Sequence, residues 1–180
     1  AFTTDNFSSL RPFLGVYDED MYSHLGEYDG SVGHTERAEN LIRYIRGYED
    51  GFEGNTDVRN RKTSVDGTSY VWRLGDIVHS TPITVNEPAD NYGLIYRDED
   101  YQAFYLRNRN REVAVYVGAN DGMLHAFTSG FYNSSTKQFT LPDSDEREIG
   151  DELWAYIPYN LLPHLKWLAD PLYQHVFYVD

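Results

Sequence analysis

The second half of the chain has the alternating hydrophobic pattern of antiparallel β-strands. Valines alternate with other apolar residues over Val113–Val117, which predicts a strand buried on both faces. The turn sequence Asn120–Gly122 follows, and its Asp-Gly pair favours a type I′ hairpin that returns over Met123–Phe127. A third strand is predicted at Glu152–Ile157, where Pro158 ends it. We therefore expect the first and third strands to be joined through the second, with unusually apolar outer faces.

Shorter patterns surround this strand block. The segment Tyr70–Val85 has the pattern of a strand, a turn and a second strand. Further strands are predicted at Tyr92–Tyr96 and Gln174–Val179, and the leucines of Leu161–Leu168 predict a short helical turn. The acidic start and basic end of Asp98–Arg107 favour a helix. The pattern as a whole predicts a mainly β structure with short helices.

The first part of the chain is less regular. Leucine and isoleucine recur at helical spacing over residues 34–46, which predicts an amphipathic helix that Gly47 ends. Residues 1–32 lack a period and favour loops, with one short strand near Phe13–Tyr17. Residues 48–69 are charged and glycine-rich, so we predict a solvated loop whose basic residues pair with neighbouring acids.

Composition excludes several classes of function. The chain has 180 residues, with 15 basic and 29 acidic side chains and a net charge of −14, which argues against binding of a nucleic-acid backbone. The absence of cysteine excludes disulfides and thiolate metal sites. No apolar run approaches the ~20 residues of a membrane span, and no leader sequence is recognisable. We expect a soluble piece of a longer protein.

One motif in the strand block is more specific than its secondary structure. The sequence Val-Tyr-Val-Gly-Ala-Asn-Asp-Gly-Met-Leu-His-Ala-Phe at 115–127 is followed by Gly-Asp-Glu-Leu-Trp at 150–154. A strand that ends in glycine, an Asp-Gly hairpin, a strand that ends in Ala-aromatic and a Gly-x-x-x-Trp segment occur in this order. The series resembles a quinoprotein-type β-propeller blade, and Ser80–Val85 resembles the innermost strand of the same blade.

Six residues form the structural motif of this blade: Gly118, Asp121, Gly122, Ala126, Gly150 and Trp154. Gly122 supplies a positive φ at the hairpin, and the small Gly118 and Ala126 let strands of adjacent blades approach closely. Trp154 is expected to dock its large face against a neighbouring blade. The chain departs from the repeat in two long insertions, 86–111 and 128–149, and in Thr128, where the repeat usually has Asp.

Further motifs in a fixed order narrow the resemblance. The chain contains Trp-Arg-Leu-Gly-Asp-Ile-Val-His-Ser-Thr-Pro at 72–82, the blade hairpin, Leu-Trp-Ala-Tyr-Ile-Pro at 153–158, Leu-Leu-Pro at 161–163 and Asp170-Pro171. This series, preceded by the predicted helix, resembles the C-terminal propeller domain of PilY/PilC-type proteins. These proteins are tip-associated adhesins and assembly factors of bacterial type IV pili. The resemblance covers about residues 38–180, and residues 1–37 lie outside it.

The resemblance implies a function without catalysis. It places the chain in the pilus tip or assembly machinery, in adhesion and in control of pilus extension and retraction. The partners it implies are minor pilins or the remaining propeller segment, together with a host or surface receptor, but no nucleic acid and no membrane span. The implied location is the cell surface, reached through the periplasm and outer membrane. No cofactor is expected in this segment, although some members of the family carry a calcium loop in this domain.

The length of the chain limits how much of a propeller it holds. A ring needs about 4–8 blades of about 40–45 residues each. We predict an irregular helical leader over 1–75 and a propeller-blade segment over 76–180, with one full blade and the start of another at 174–180. One blade cannot close a ring, so we expect a fragment of a partial β-propeller. The alternatives are a fragment of a quinoprotein-type dehydrogenase and a structural fragment of an extracellular assembly.

No constellation of residues indicates a catalytic, cofactor or metal site. The acidic segments Asp18–Tyr22 and Asp143–Arg147 lack an oxygen ligand at the fifth position of a calcium loop. His79 and His125 fall in predicted strands and are interpreted as structural side chains. The aromatic side chains of the insertions either cover the blade edge or bind a partner, and both interpretations stay open: Tyr92, Tyr96, Tyr101, Tyr105, Phe131 and Tyr132.

Overall fold

The structure, a computed structural model, describes residues 1–17, 21–26, 35–49 and 57–180 of the chain. Its α-helices are α1 (Phe7–Leu14), α2 (Thr35–Ile45), α3 (Tyr92–Ile95), α4 (Glu99–Asn108) and α5 (Leu165–Leu168). Single 3₁₀ turns or short 3₁₀ helices lie at Thr4–Asn6, Ser23–Leu25 and Tyr159–His164. The helical segment predicted at Leu161–Leu168 is therefore confirmed.

The strands form two antiparallel sheets. One is a hairpin of β1 (Lys62–Val65) and β2 (Thr68–Val71). The other contains β3 (Ile83–Val85), β4 (Val113–Ala119), β5 (Met123–Asn133), β6 (Gln138–Thr140) and β7 (Glu152–Tyr156). In this sheet β3 pairs with β4, β4 with β5 and β5 with β7, whereas β6 pairs with the far end of β5. The predicted joining of the first and third strands through the second is confirmed.

Contacts along the backbone divide the chain into two compact units. The first unit comprises residues 1–76, 120–122 and 157–179, and the second comprises residues 77–119, 123–156 and Asp180. The first unit has a hydrophobic core to which α1, α2 and α5 contribute. Its fully buried apolar side chains include Leu14, Val16, Leu25, Leu41, Ile42 and Leu165. The second unit holds the five-stranded sheet and both insertions.

Segment 7–14 is a helix, so the prediction of loops and a strand near Phe13–Tyr17 is wrong. Phe7, Leu10 and Leu14 lie at positions i, i+3 and i+7 and pack on the core. Phe13, between the last two, is exposed, and this additional aromatic residue obscured the helical period in the sequence. The helix ends at Gly15, whose φ of +66° suits a left-handed C-terminal residue. The helix predicted over 34–46 is confirmed as α2.

A hairpin lies where a solvated loop was predicted over 48–69. β1 and β2 are almost wholly exposed, so no apolar alternation marked them in the sequence. Asp66 and Gly67 both have a positive φ, as the two central residues of a type I′ turn require. The expected pairing of basic residues is found at Arg61, whose guanidinium lies 2.5 Å from a Glu49 carboxylate oxygen. Residues 50–56 lie outside the described residues.

The insertion at 86–111 is helical. Tyr92–Tyr96 is not a strand, because its backbone forms the local hydrogen bonds of α3, such as the one from Tyr96 N–H to Tyr92 O. The helix predicted at Asp98–Arg107 is confirmed as α4. Asp98 caps it by accepting a hydrogen bond of 2.9 Å from the Tyr101 N–H.

Two further strand predictions are corrected by the structure. Gln174–Val179 forms no strand, because side chains engage it instead: Asn120 Oδ1 accepts a hydrogen bond from Tyr178 N–H, and His175 Nε2 lies 2.7 Å from an Asp76 carboxylate oxygen. The strand predicted within Tyr70–Val85 ends at Val71, and only Ile83–Val85 forms the second one. The insertion at 128–149 also contributes strands, since β5 continues to Asn133 and pairs there with β6.

Candidate functional site: the turn and the face of the blade

The turn between β4 and β5 is a buried centre of hydrogen bonds in the first unit. Asp121 Oδ2 accepts a hydrogen bond of 2.8 Å from Gly75 N–H, and Asn120 N–H donates one of 3.1 Å to Asp76 O. Asn120 Oδ1 accepts a further one from Tyr178 N–H, at 3.0 Å. Two segments distant in sequence, residues 75–76 and Tyr178, thus bond to this turn, and Asn120 and Asp121 are both buried.

The geometry of this turn differs from the predicted type I′ hairpin. Ala119 pairs with Met123, which leaves a loop of residues 120–122, and within it only Gly122 has a positive φ, of +86°. This fits a type I turn that ends in a left-handed residue rather than a two-residue primed turn. A Cβ on Gly122 would meet only ordinary contacts, at 3.7 Å or more, so glycine is needed there for φ and not for space. Gly75 is the opposite case, because its Cβ would lie 2.3 Å from the Asp121 backbone nitrogen.

Gly118 takes part in fixing the segment before β3, in the second unit. Its N–H donates a hydrogen bond of 3.1 Å to Ser80 Oγ. The carboxylate of Asp180 accepts hydrogen bonds from the N–H groups of Val78, His79 and Ser80, at 2.8, 2.7 and 2.8 Å. Burial alone would raise the pKa of Asp180, but these backbone hydrogen bonds, with one to the His79 ring, lower it to about 2. His79 lies in this segment before β3, so the prediction that it lies in a strand is wrong.

Ala126 and Trp154 share one face of the sheet. Register places Ile83, Tyr116, Ala126 and Trp154 opposite one another on the consecutive strands β3, β4, β5 and β7. Ala126 is fully buried, and the rings of Tyr116 and Trp154 meet at 5.5 Å between centroids. A small residue at position 126 therefore leaves room for the two rings to contact each other.

The surface formed by these side chains and their neighbours is called the blade face: Ile83, Tyr116, Leu124, Ala126, Trp154 and Tyr156. Ile83, Trp154 and Tyr156 keep 64%, 44% and 57% of their surface exposed. Large apolar side chains that cluster on an exposed surface commonly mark a site of contact with another molecule or segment. Docking of Trp154 on another blade remains a prediction, since nothing covers its outer side in the described residues.

His125 lies in β5, as predicted, and has structural partners. Its Nδ1 lies 2.6 Å from a carboxylate oxygen of Glu152 on β7, and its ring stacks on Phe127 at 5.7 Å between centroids. The imidazole is almost completely buried. These contacts link two neighbouring strands and leave the interpretation of His125 as a structural side chain unchanged.

Thr128 and Gly150 fix the point where the second insertion leaves and rejoins the sheet. The Thr128 hydroxyl donates to a carboxylate oxygen of Glu112 and accepts a hydrogen bond of 2.9 Å from Gly130 N–H. Gly150, with φ of +99°, donates its N–H to Thr128 O at 2.8 Å. Arg147 lies 3.0 Å from Glu112, so the same carboxylate also holds the insertion.

The acidic segment Asp143–Arg147, which lacks the ligand pattern of a calcium loop, contains an ion pair. Arg147 Nη2 lies 2.6 Å from Asp145 Oδ2, and hydrogen bonds from Arg147 lower the pKa of Asp145 to about 2. Segment Asp18–Tyr22 lies partly outside the described residues. Within the part of the chain that is described, no group of three or more His, Asp or Glu side chains is placed to bind a metal ion. No helix there has the length and apolar character needed to cross a bilayer.

Four strands lie side by side and antiparallel in the sheet: β3, β4, β5 and β7. The turn of the β4–β5 hairpin ends in glycine, and the outermost strand carries a tryptophan. These features define the protein class as one built from β-propeller blades. A family model for the PilY1 beta-propeller domain matches residues 74–173. The chain belongs to the PilY1 family, and its fold is a partial β-propeller with short helices. The resemblance to PilY/PilC-type proteins that the sequence indicated is therefore confirmed.

Curated relatives agree with this assignment. The chain is 32% identical over 184 aligned residues to a "Type IV pilus biogenesis factor PilY1 homolog" of Xylella fastidiosa, covering 89% of this chain and 10% of the relative. It is 31% identical over 150 residues to the "Type IV pilus biogenesis factor PilY1" of Pseudomonas aeruginosa strain PAK, covering 80% of this chain and 10% of the relative. The chain thus spans about a tenth of the length of these relatives. No solved structure was found to match it.

Of the six predicted motif residues, the structure brings Gly118, Asp121, Gly122 and Ala126 onto β4, its turn and β5, with Gly150 and Trp154 before and in β7. Sequence reasoning missed Gly75, which bonds to the motif residue Asp121. It also missed Glu112 and Asp180, which accept hydrogen bonds from Thr128 and from residues 78–80. The Gly75-Asp76 pair is a turn dipeptide, which marked a turn at Gly75 but not its contact with Asp121. Nothing local marked Glu112 or Asp180, because their partners lie far away in sequence.

Proposed function

We propose that the chain acts as a non-enzymatic part of the type IV pilus tip or assembly machinery. In this proposal it contributes to adhesion and to the control of pilus extension and retraction. The observation that supports it best is the match of residues 74–173 to the PilY1 propeller domain, which covers β3 to β7 and α5. The relatives are named as pilus biogenesis factors, and they are about ten times as long as this chain.

The proposed location is the cell surface, reached through the periplasm and the outer membrane. The proposed partners are minor pilins or the remaining propeller segment, together with a host or surface receptor. The blade face supports this part of the proposal because aromatic side chains such as Trp154 and Tyr156 contribute large contact areas at low entropic cost. Calcium would then belong to other parts of the full-length domain.

A genetic experiment tests the pilus function. The gene for the full-length protein that contains this chain is deleted and then complemented with the wild-type gene or with one that lacks residues 77–156. We expect deletion to reduce surface pili and attachment, wild type to restore both, and the shortened gene to restore neither. Unchanged piliation and attachment after deletion contradict the proposal.

A biochemical experiment separates this proposal from the quinoprotein alternative. The full-length protein is purified from cells, its co-purifying proteins are identified, and it is assayed for dye reduction with added pyrroloquinoline quinone. We expect minor pilins among the bound proteins and no quinone-dependent activity. Tight quinone binding with dye-linked turnover overturns the non-enzymatic function, and a chain that ends naturally near Asp180 with neither property favours the structural-fragment alternative.

A further inference from the structure

The helical insertion α3–α4 has an exposed apolar surface of its own, apart from the blade face. No residue of either helix is buried. Leu94 keeps 79% of its surface exposed and Leu106 keeps 52%. Aromatic rings of the insertion pack on one another, with Tyr92 and Tyr101 at 5.1 Å between centroids. A short helix pair with no fully buried residue gains little stability from packing within its own chain, which points to a further contact.

α4 has a distinct inner and outer side. Tyr101, Tyr105 and Asn108, at i, i+4 and i+7, are half-buried. The opposite stripe carries Glu99, Ala103 and Leu106, which are exposed, and these three residues line an open groove of about 360 Å³ beside Gly93 and Arg97. The outer side therefore presents a small residue in its centre, an apolar side chain and a groove.

The charges of α4 are sorted by sign along its axis. Glu99 and Asp100 lie in the first turn, whereas Arg107 lies in the last turn and Arg109 directly follows it. All four are exposed, and none of them forms an ion pair within the described residues. This order of charges interacts favourably with the helix dipole. The dipole does not explain why Leu106, an apolar residue between the two charged ends, is exposed.

We propose that the α3–α4 insertion is a self-association surface, on which α4 of one chain packs antiparallel against α4 of a second copy. A two-fold axis at Ala103 places Glu99 of each copy opposite Arg107 of the other, since both lie four residues from the centre. Ala103 lets the two helices approach closely, and Leu106 of each copy enters the groove of the other. Glu99 and Arg107 of one helix are about 12 Å apart along its axis, so the two Glu99–Arg107 pairs lie at opposite ends of the interface.

This inference goes beyond the proposed pilus function and does not depend on it. Self-association through an insertion outside the sheet leaves the blade face free for other contacts. A pair of short helices is a small interface, for which we expect weak association that salt weakens further.

Sedimentation of the full chain as a function of concentration tests the proposal. We expect a species of twice the 20.9 kDa chain mass, with the dissociation constant raised at least tenfold in Glu99→Arg and at least tenfold in Leu106→Glu. The double variant Glu99→Arg/Arg107→Glu exchanges the two signs and is expected to restore the wild-type dissociation constant. Glu87→Arg, a charge reversal at an exposed site of the same insertion outside α4, is the matched control and leaves it unchanged.

The same measurement distinguishes other contacts. Circular dichroism first establishes that each variant retains its helices and its thermal midpoint. A wild-type chain that stays monomeric up to its solubility limit overturns the proposal. So does a dimer that tolerates Glu99→Arg and Leu106→Glu but dissociates in Trp154→Asp, because that result assigns self-association to the blade face.

Discussion

Single polar side chains hold several backbone segments of this molecule together. Asp121 accepts a hydrogen bond from the backbone of Gly75, and Asp180 accepts three from residues 78–80. Such a carboxylate replaces the hydrogen bonds that a ladder would supply, so irregular segments become fixed without secondary structure. Hydrogen-bond acceptors, rather than large apolar side chains, therefore fix the conformation of these segments.

The acid sensitivity of the fold depends in part on Asp180. Its pKa falls from 3.8 to about 2 in the folded chain, so the unfolded chain binds the proton more tightly. This stabilising contribution is complete above about pH 4 and is lost as the pH falls through about 2. We expect Asp180→Asn to lower the free energy of unfolding at neutral pH and to flatten its decline between about pH 4 and 2.

Urea denaturation of the chain at a series of pH values measures this effect. Asp145 titrates in the same range, so the informative quantity is the difference between the wild-type and variant curves. Asp143→Asn removes an exposed carboxylate and serves as the control. Parallel curves for wild type and Asp180→Asn contradict the prediction.

At the scale of elements, hydrogen bonds around Thr128 attach the second insertion to the sheet. β5 passes through this residue and continues to β6, while Gly150 returns the chain to β7. The hydroxyl of Thr128 is fully buried and faces Glu112, which Arg147 also contacts. The departure of this chain from the Asp of the blade repeat has a physical reason here, since a second carboxylate would face Glu112.

Replacing Thr128 by the residue that the repeat usually carries tests this explanation. We expect Thr128→Asp to destabilise the chain by about 3 kcal/mol, because it places a second carboxylate at a buried position directly against that of Glu112. Adding Glu112→Gln supplies an N–H donor and restores much of the loss. Thr84→Asp, at an exposed position of β3, is the control, and urea midpoints of the four proteins give the result. A Thr128→Asp chain as stable as wild type refutes the explanation.

At the scale of the whole molecule, the sheet presents the blade face to solvent. A ring of blades covers such faces, whereas the described part of this chain has one blade, with β3 and β7 each paired on one side only. Trp154 contacts Tyr116 within the sheet, and its outer side is open. Its contribution to stability should therefore depend on how much of the full-length protein is present.

Trp154→Ala measures this dependence. In the 180-residue chain, where the side chain is 44% exposed, we expect a loss of about 1–2 kcal/mol in unfolding free energy. In the full-length protein, docking on a second blade raises the loss to about 3–5 kcal/mol. Trp72→Ala, 68% exposed and outside the blade face, should cost little in both proteins. An equal loss for Trp154→Ala in both settings contradicts docking.

The sequence by itself determined the elements whose signals are local. The valine alternation of β4, the core-facing residues of α2 and the charge order of α4 each follow from neighbours within a few positions, so these elements and the blade family were predictable. The same reasoning placed Gly122 at a positive φ.

Only the tertiary structure decided the features that depend on distant partners. Asp180 meets Ser80 from 100 positions away, and Asp121 meets Gly75 from 46, so no local pattern announced either contact. The β4–β5 turn, where Asp121 bonds to a remote segment, is a three-residue loop and not the predicted type I′ turn. Asp66 and Gly67, in the β1–β2 hairpin, form a type I′ turn instead. The Asn120 side chain, and not a strand partner, accepts the hydrogen bond of the Tyr178 N–H. Local periodicity specifies an element, whereas its partners and its exposed face depend on which remote groups complete its hydrogen bonds and its packing.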